Sequence, residues 1–127
     1  MTDVVRFQAD LAEAANALTE VRLLNNGDSF QVGNGDSSQY NELISLLDSV
    51  TPGGGTPLCR HVDEVVAKIK MLEPELRANG QKAVLVIATD GEPSDGDVTL
   101  SLEKLHNLPV WVVLCLCTDD QHIVNYW

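Results

Sequence analysis

Carboxylate oxygens follow two stretches of the chain that are expected to be buried strands. Asp90 comes directly after Ala83–Thr89, which is apolar up to its last residue, and Asp119–Asp120 come shortly after the apolar run Val110–Cys117. In open α/β sheets, ligands bind beyond the carboxyl ends of the strands. Asp90 is therefore a candidate cation ligand or nucleophile, although Asp-Gly is also a common turn pair.

A hydroxyl oxygen stands at the start of a predicted helix. Thr56 follows the glycines Gly53–Gly55 and precedes Pro57, a residue that suits a first helical turn, so Thr56 is the predicted N-cap. The helix predicted over residues 56–80 would cross over right-handedly to the strand at Ala83. Thr56 and Asp90 are then expected to meet at one edge of the sheet. Mg²⁺ and Mn²⁺ prefer such oxygen ligands.

The sequence gives less support to a phosphate-binding loop, an EF-hand or a catalytic nucleophile–base pair. The glycines before Thr56 are contiguous and lack the following Gly-Lys-Ser/Thr of a phosphate-binding loop. An EF-hand starting at Asp90 would need glutamate where Ser101 stands. His61, His106 and His122 are not adjacent in sequence to an activated serine or cysteine, so no nucleophile–base pair is predicted. The sequence therefore favours a non-enzymatic protein.

Composition narrows the class of protein further. The chain has 127 residues and a formal charge of −11. The charge argues against binding to a phosphate backbone and favours basic or cationic partners. No apolar run reaches the roughly 20 residues of a membrane span, and the start does not resemble a signal peptide. With an odd number of cysteines (Cys59, Cys115 and Cys117), reduced thiols and a cytoplasmic, intracellular location are expected.

Hydrophobic periodicity predicts alternating helices and strands in one domain over residues 1–127. Helices are predicted over residues 2–18, 39–49, 56–80 (with a kink at Pro74), 97–106 and from 121 onward. Strands are predicted over residues 21–25, 30–32, 83–89 and 110–117, the first two as an antiparallel hairpin. The alternation predicts an α/β fold whose mostly parallel sheet carries helices on both faces, as in Rossmann-like proteins.

Two loops carry a resemblance to a known family. Gly54-Gly55-Thr56-Pro57-Leu58, then a long helix, then the strand ending in Thr89-Asp90-Gly91-Glu92-Pro93 resembles the von Willebrand factor A (vWA) domain. The resemblance covers roughly residues 2–117 and rests on the order of two short motifs. It implies a three-layer fold and a metal-ion-dependent adhesion site for Mg²⁺ or Mn²⁺ at the carboxyl edge of the sheet.

The resemblance also implies roles for particular residues. Thr56 and Asp90 match two of the three ligand loops of that site, and a protein partner would offer a carboxylate to an open metal position. The residues that would form the partner-binding loops are Gly54, Gly55, Gly91, Glu92, Pro93 and Ser94.

The chain departs from the family pattern at the third loop. No Asp-x-Ser-x-Ser occurs, and the nearest string, residues 36–40, ends in Tyr40. The opening helix resembles the one that follows this motif in the family, so the chain is expected to lack the family's first strand as well as its last elements. Two ligands predict weak metal binding. An unpaired apolar strand edge predicts self-association or marginal stability.

Two alternatives remain open. Asp90 as nucleophile, Glu92 as acid/base and Asp119–Asp120 as Mg²⁺ ligands resemble a phosphotransferase of the haloacid-dehalogenase type, although that family usually has Asp at the position of Glu92. The other alternative is a metal-free scaffold, in which Thr56 is only a helix cap and Asp90 only a turn residue.

Overall fold

A computed structural model describes residues 2–24, 29–49 and 55–127. These residues form a mixed α/β structure with five helices and two small sheets, one antiparallel and one parallel. They divide into two compact units, residues 1–54 and 55–127, and each unit is described by itself. The predicted turn at 25–28 and Gly54 of the predicted partner loop lie outside the described residues.

The first unit is an antiparallel hairpin with two helices. Its elements are α1 (Thr2–Ala15), β1 (Thr19–Arg22), β2 (Ser29–Val32) and α2 (Ser38–Ser49). The two strands pair from Thr19 opposite Val32 to Arg22 opposite Ser29, which confirms the predicted hairpin with β1 two to three residues earlier. The side chains buried in its core are Ala9, Ala12, Phe30, Val32, Leu43 and Leu47.

The first helix ends earlier than its apolar pattern predicts. Asn16 has a left-handed backbone with φ 50°, and the N–H of Ala17 donates to the carbonyl of Ala12 at 2.9 Å. Asparagine tolerates this conformation, and the resulting bond closes the last helical turn. Leu18 therefore falls outside the helix, and its side chain is 71% exposed.

The second unit follows the predicted order of helices and strands. Its elements are α3 (Leu58–Ala78), β3 (Ala83–Thr89), α4 (Val98–Glu103), β4 (Val110–Leu116) and α5 (Gln121–Tyr126). The two strands are parallel and in register from Ala83 opposite Val110 to Thr89 opposite Leu116, as predicted. Both strands therefore end at the same edge, where Asp90 and Asp119 follow them.

The long helix α3 buries one face, although its seam differs in detail from the predicted one. Leu58, Val62 and Ile69 are buried as predicted, whereas Leu72 is 50% exposed. Pro74 lies inside the helix, which continues to Ala78 as one element. The helix ends at Asn79, and Gly80 has φ 62°, so the predicted Asn-Gly stop is confirmed.

The strand β4 is unusually exposed for its composition. Four consecutive apolar side chains, from Trp111 to Leu114, are each at least 40% exposed. Successive side chains of a strand point to opposite faces, so both faces of β4 are open in part. Within residues 55–127, the sheet consists of β3 and β4 alone.

Residues 2–24, 29–49 and 55–127 contain no helix that combines the length and the apolar character needed to cross a membrane.

Candidate functional site

Asp90 begins the loop that follows β3, and its side chain is exposed. The preceding residue, Thr89, is buried, and its hydroxyl accepts a hydrogen bond from the N–H of Gly91 at 3.3 Å. The carbonyl of Thr89 also accepts from the N–H of Cys117, which lies just beyond β4. These bonds hold the end of β3 in place, and the exposed Asp90 follows directly after it.

The two predicted loops meet through Thr56 and Ser94. The N–H of Thr56 donates to Oγ of Ser94 at 2.7 Å, and the N–H of Ser94 donates to the carbonyl of Thr56 at 2.8 Å. A side chain at Gly55 would approach Oγ of Ser94 to 2.9 Å, which is closer than side-chain carbons normally come. Glycine at this position therefore permits the contact between the loops.

The N-cap predicted for α3 is wrong, and the true cap comes from the loop after β3. The helix begins at Leu58, and Pro57 occupies the N-cap position without a side-chain bond. The carboxylate of Asp95 instead accepts from the N–H groups of Cys59 at 3.0 Å and Arg60 at 2.9 Å. These donors lie in the first helical turn, where they have no partner within the helix.

Asp95 acts across 35 residues of sequence, so the local pattern at Thr56 could not reveal it. The only sequence signal is the density of Asp and Gly after Pro93, which is equally typical of a turn. In the folded chain, Ser94 and Asp95 together hold residues 56–60. Adjacent residues of one loop therefore anchor the other candidate loop.

Burial and hydrogen bonding act in opposite directions on the carboxyl of Asp95. Partial burial favours its neutral form, but the N–H groups of Arg60 and Cys59 stabilise the charged form more, and the pKa of Asp95 falls below its ordinary 3.8. The neighbouring thiol responds in the other direction. Burial raises the pKa of Cys59, and the nearby Asp95 raises it further. The Cys59 thiol is therefore protonated at neutral pH and is a poor nucleophile.

We expect Asp95→Ala to lower the free energy of unfolding of residues 55–127 by about 1–2 kcal/mol, the usual cost of losing a helix cap. Asp95→Asn should lose less, because its amide oxygen still accepts a hydrogen bond. Urea unfolding followed by tryptophan fluorescence measures the change in this unit, because Trp111 and Trp127 both lie within it.

The same substitutions make a test of pH dependence. The pKa of Asp95 is lower in the folded chain, so its charge stabilises the fold above the ordinary pKa, and this contribution is lost as pH falls through the folded pKa. The difference between the native chain and Asp95→Asn should therefore be present at neutral pH and shrink as the pH falls below the ordinary aspartate pKa of 3.8. A difference that stays constant with pH would contradict the charged cap.

The C-terminal residues contact the loop that follows Asp90. Nε2 of His122 lies 2.8 Å from Oε1 of Glu92, and the indole N–H of Trp127 donates to the carbonyl of Gly91 at 3.0 Å. The hydroxyl of Tyr126 accepts from the N–H of Val98 at 3.5 Å, where α4 begins. Sequence analysis predicted a helix from residue 121 but assigned these side chains no role.

The two aspartates after β4, Asp119 and Asp120, differ in their hydrogen bonds. Asp120 caps α5, because its carboxylate accepts from the N–H of His122 at 2.9 Å. Asp119 is exposed. Asp90, Asp119 and Asp120 are all exposed at the common edge of β3 and β4, while Glu92 and Asp120 each have a partner in α5.

The predicted site residues therefore have different surroundings. Gly55 and Thr56 are in direct contact with Ser94, and Asp90, four residues before Ser94, is exposed. Gly91 contacts Trp127, and Glu92 contacts His122 of α5. Among the described residues, no group of three or more His, Cys, Asp and Glu side chains is arranged to hold a metal ion.

Comparisons with models of protein families, with curated proteins and with solved structures found no match to this chain.

Proposed function

We propose that the chain is a non-enzymatic protein-interaction module of the vWA type, with its binding face at the loops before α3 and after β3. The reciprocal hydrogen bonds between Thr56 and Ser94 carry this proposal, because they join the two loops of the resemblance, and Asp90, four residues before Ser94 in the chain, is exposed. The partner would contact the exposed residues of the two loops, Gly55, Asp90 and Ser94.

The proposed architecture is an incomplete three-layer, Rossmann-like fold. The parallel pairing of β3 and β4, with α3 before the first strand and α4 between them, supports it. Right-handed parallel connections of this kind place helices against a sheet whose ligand edge lies at the carboxyl ends. The family's Asp-x-Ser-x-Ser motif does not occur within residues 1–127.

The proposed cation is Mg²⁺ or Mn²⁺, bound weakly by the hydroxyl of Thr56 and the carboxylate of Asp90. Both ions prefer oxygen ligands, and Mg²⁺ keeps several waters when a protein offers few. A carboxylate of the protein partner would then displace one water. With only two protein side chains as ligands, the partner would supply much of the affinity.

Isothermal titration of the chain with Mn²⁺ and Mg²⁺ tests the metal site. We expect weak saturable binding in the native chain and at least about tenfold weaker binding in Asp90→Ala, because the only charged ligand is lost. Asp119→Ala is the matched control, since Asp119 is also an exposed carboxylate after a parallel strand. If both variants lose binding equally, a general acidic surface attracts the ion, and the proposed site is wrong.

A substitution of Asp90 also separates the proposed module from a phosphotransferase of the haloacid-dehalogenase type. The common edge that Asp90 and Asp119 share favours this second candidate, since it needs carboxylates from both strands. However, Glu92 lies beside His122, and Asp120 caps α5. Hydrolysis of a generic phosphate ester by the native chain, lost in Asp90→Asn, would support the enzyme and contradict the interaction module.

A metal-free scaffold is the remaining alternative for the same loops. Here Asp95, Ser94 and Thr56 serve only to join the start of α3 to the loop after β3. The absence of Mn²⁺ binding at millimolar concentration would favour the scaffold, while leaving the loops as a protein-binding surface. We also propose that the open edge of the small parallel sheet allows self-association.

A further inference from the structure

The helix α5 is held by few contacts. It has six residues, none of which is buried, and the side chains of Val124 and Tyr126 are 38% and 37% exposed. Such a short helix is unstable alone, because the free energy needed to nucleate it exceeds the stabilisation from its few hydrogen bonds. Its polar contacts outside the helix come from three side chains, His122, Tyr126 and Trp127, and Ile123 is half-buried. Segments with so few buried groups open locally at low cost.

These contacts engage polar groups of the loop after β3. The indole of Trp127 covers the carbonyl of Gly91, and the imidazole of His122 lies on the carboxylate of Glu92. The ring of Trp127 also packs edge-on against Tyr126, with centroids 5.5 Å apart. The carbonyl of Gly91 and the carboxylate of Glu92 thus each already face a polar group of residues 121–127.

We propose that residues 121–127 form a displaceable strap that restricts access to the loop at residues 91–94. The proposal rests on the proposed function, because that function makes this loop part of the binding face. A partner that reaches Gly91 or Glu92 must first move Trp127 or His122 aside. Release of the strap therefore precedes or accompanies binding, and weakening the strap increases access.

The opposite role would be a support that holds the loop in its binding conformation. The two roles predict opposite effects on affinity when the Trp127 contact is weakened. The substitution Trp127→Phe removes the indole N–H and keeps an aromatic ring beside Tyr126, so it weakens the strap without emptying its position. The matched control is Trp111→Phe, which makes the same change on β4, where the ring lies 4.5 Å from Nζ of Lys82.

Hydrogen–deuterium exchange of the full chain, read by mass spectrometry over residues 90–97, measures opening of the loop. We expect exchange roughly fivefold faster in Trp127→Phe, the change that corresponds to one lost hydrogen bond, and no change there in Trp111→Phe. Equal exchange in the native chain and Trp127→Phe would overturn the strap. Titration with Mn²⁺ then gives a second readout, with tighter binding expected in Trp127→Phe.

The two readouts separate the strap from the proposed function. Faster exchange without Mn²⁺ binding in either chain supports the strap and counts against the metal site. Mn²⁺ binding to both chains with unchanged loop exchange supports the metal site and overturns the strap. Faster exchange with weaker Mn²⁺ binding in Trp127→Phe also overturns the strap, because residues 121–127 then support the loop instead of restricting it.

Discussion

Gly33→Ala should strongly destabilise residues 1–54, because Gly33 is buried and has a left-handed backbone. Gly33 has φ 73°, and an added Cβ would overlap the carbonyl oxygen of Ala17 and lie 2.7 Å from that of Ala12. Left-handed backbone costs alanine about 1–2 kcal/mol, and a forced overlap with fixed backbone adds about 1–3 kcal/mol. We therefore expect a loss of about 2–5 kcal/mol, a large part of the stability of a small domain.

The overlap has a structural cause at the end of the first helix. The carbonyl of Ala12 accepts the bond from the N–H of Ala17 that closes α1, and the carbonyl of Ala17 accepts from the hydroxyl of Thr19 at 2.9 Å, so both carbonyls are held in place. The N–H of Gly33 also donates to Oε1 of Glu13 at 2.8 Å, and Ser37 donates to the other oxygen of that carboxylate. Displacing residue 33 would therefore disturb the junction between α1 and the end of the hairpin.

Gly35→Ala is the matched control for this prediction. Gly35 has φ 87°, but an added Cβ would meet nothing within 4 Å, so alanine there carries only the backbone cost. Urea unfolding followed by far-UV circular dichroism measures both variants, and tryptophan fluorescence reports residues 55–127 in parallel. Equal losses in the two variants would show that backbone strain alone acts, and would contradict the role of the close contact at Gly33.

The sequence predicted the elements where the local pattern dominates. The apolar runs that became β3 and β4 predicted two strands, and the helix between them predicted their parallel order. The expected burial was wrong for β4, because the side chains from Trp111 to Leu114 are each at least 40% exposed. The hairpin in the first unit was also predicted, because polar turn residues separate its two short strands. Boundaries were less accurate, since Asn16 ends α1 by its left-handed backbone before the apolar pattern stops.

The candidate site could be predicted only in part, because its bonds join residues far apart in sequence. Thr56 and Asp90 were expected to meet at one edge of the sheet, and the contact that the structure shows joins Thr56 to Ser94, four residues after Asp90. The cap of α3 was assigned to Thr56, the nearest suitable side chain, whereas Asp95 supplies it. A tertiary contact decided this cap, and Trp127 likewise reaches Gly91 across 36 positions.

Val113→Lys should abolish self-association of the chain, which we expect to be measurable at micromolar concentration. The seven residues of β4 include no charged residue and no proline, the features that usually protect a sheet edge. Trp111 and Val113 lie on one face and Val112 and Leu114 on the other, and all four are partly exposed. An antiparallel pairing of β4 with β4 of a second copy would therefore place apolar side chains opposite each other on both faces.

The acidic chain charge does not prevent this pairing, because none of it lies on β4. Val113 is 44% exposed, so lysine can replace it without entering a core, while its charge opposes a second lysine in a symmetric pair. Leu100→Lys is the control, since Leu100 is 66% exposed on α4, away from the sheet edge. Both variants should keep the native circular dichroism spectrum.

Sedimentation velocity over a range of concentrations measures the outcome. Concentration-dependent association in the native chain and Leu100→Lys, with a monomer in Val113→Lys, would assign the contact to β4. A native chain that stays monomeric throughout would contradict self-association at either edge. Association that persists in Val113→Lys would instead point to a contact outside β4, such as the outer edge of β3.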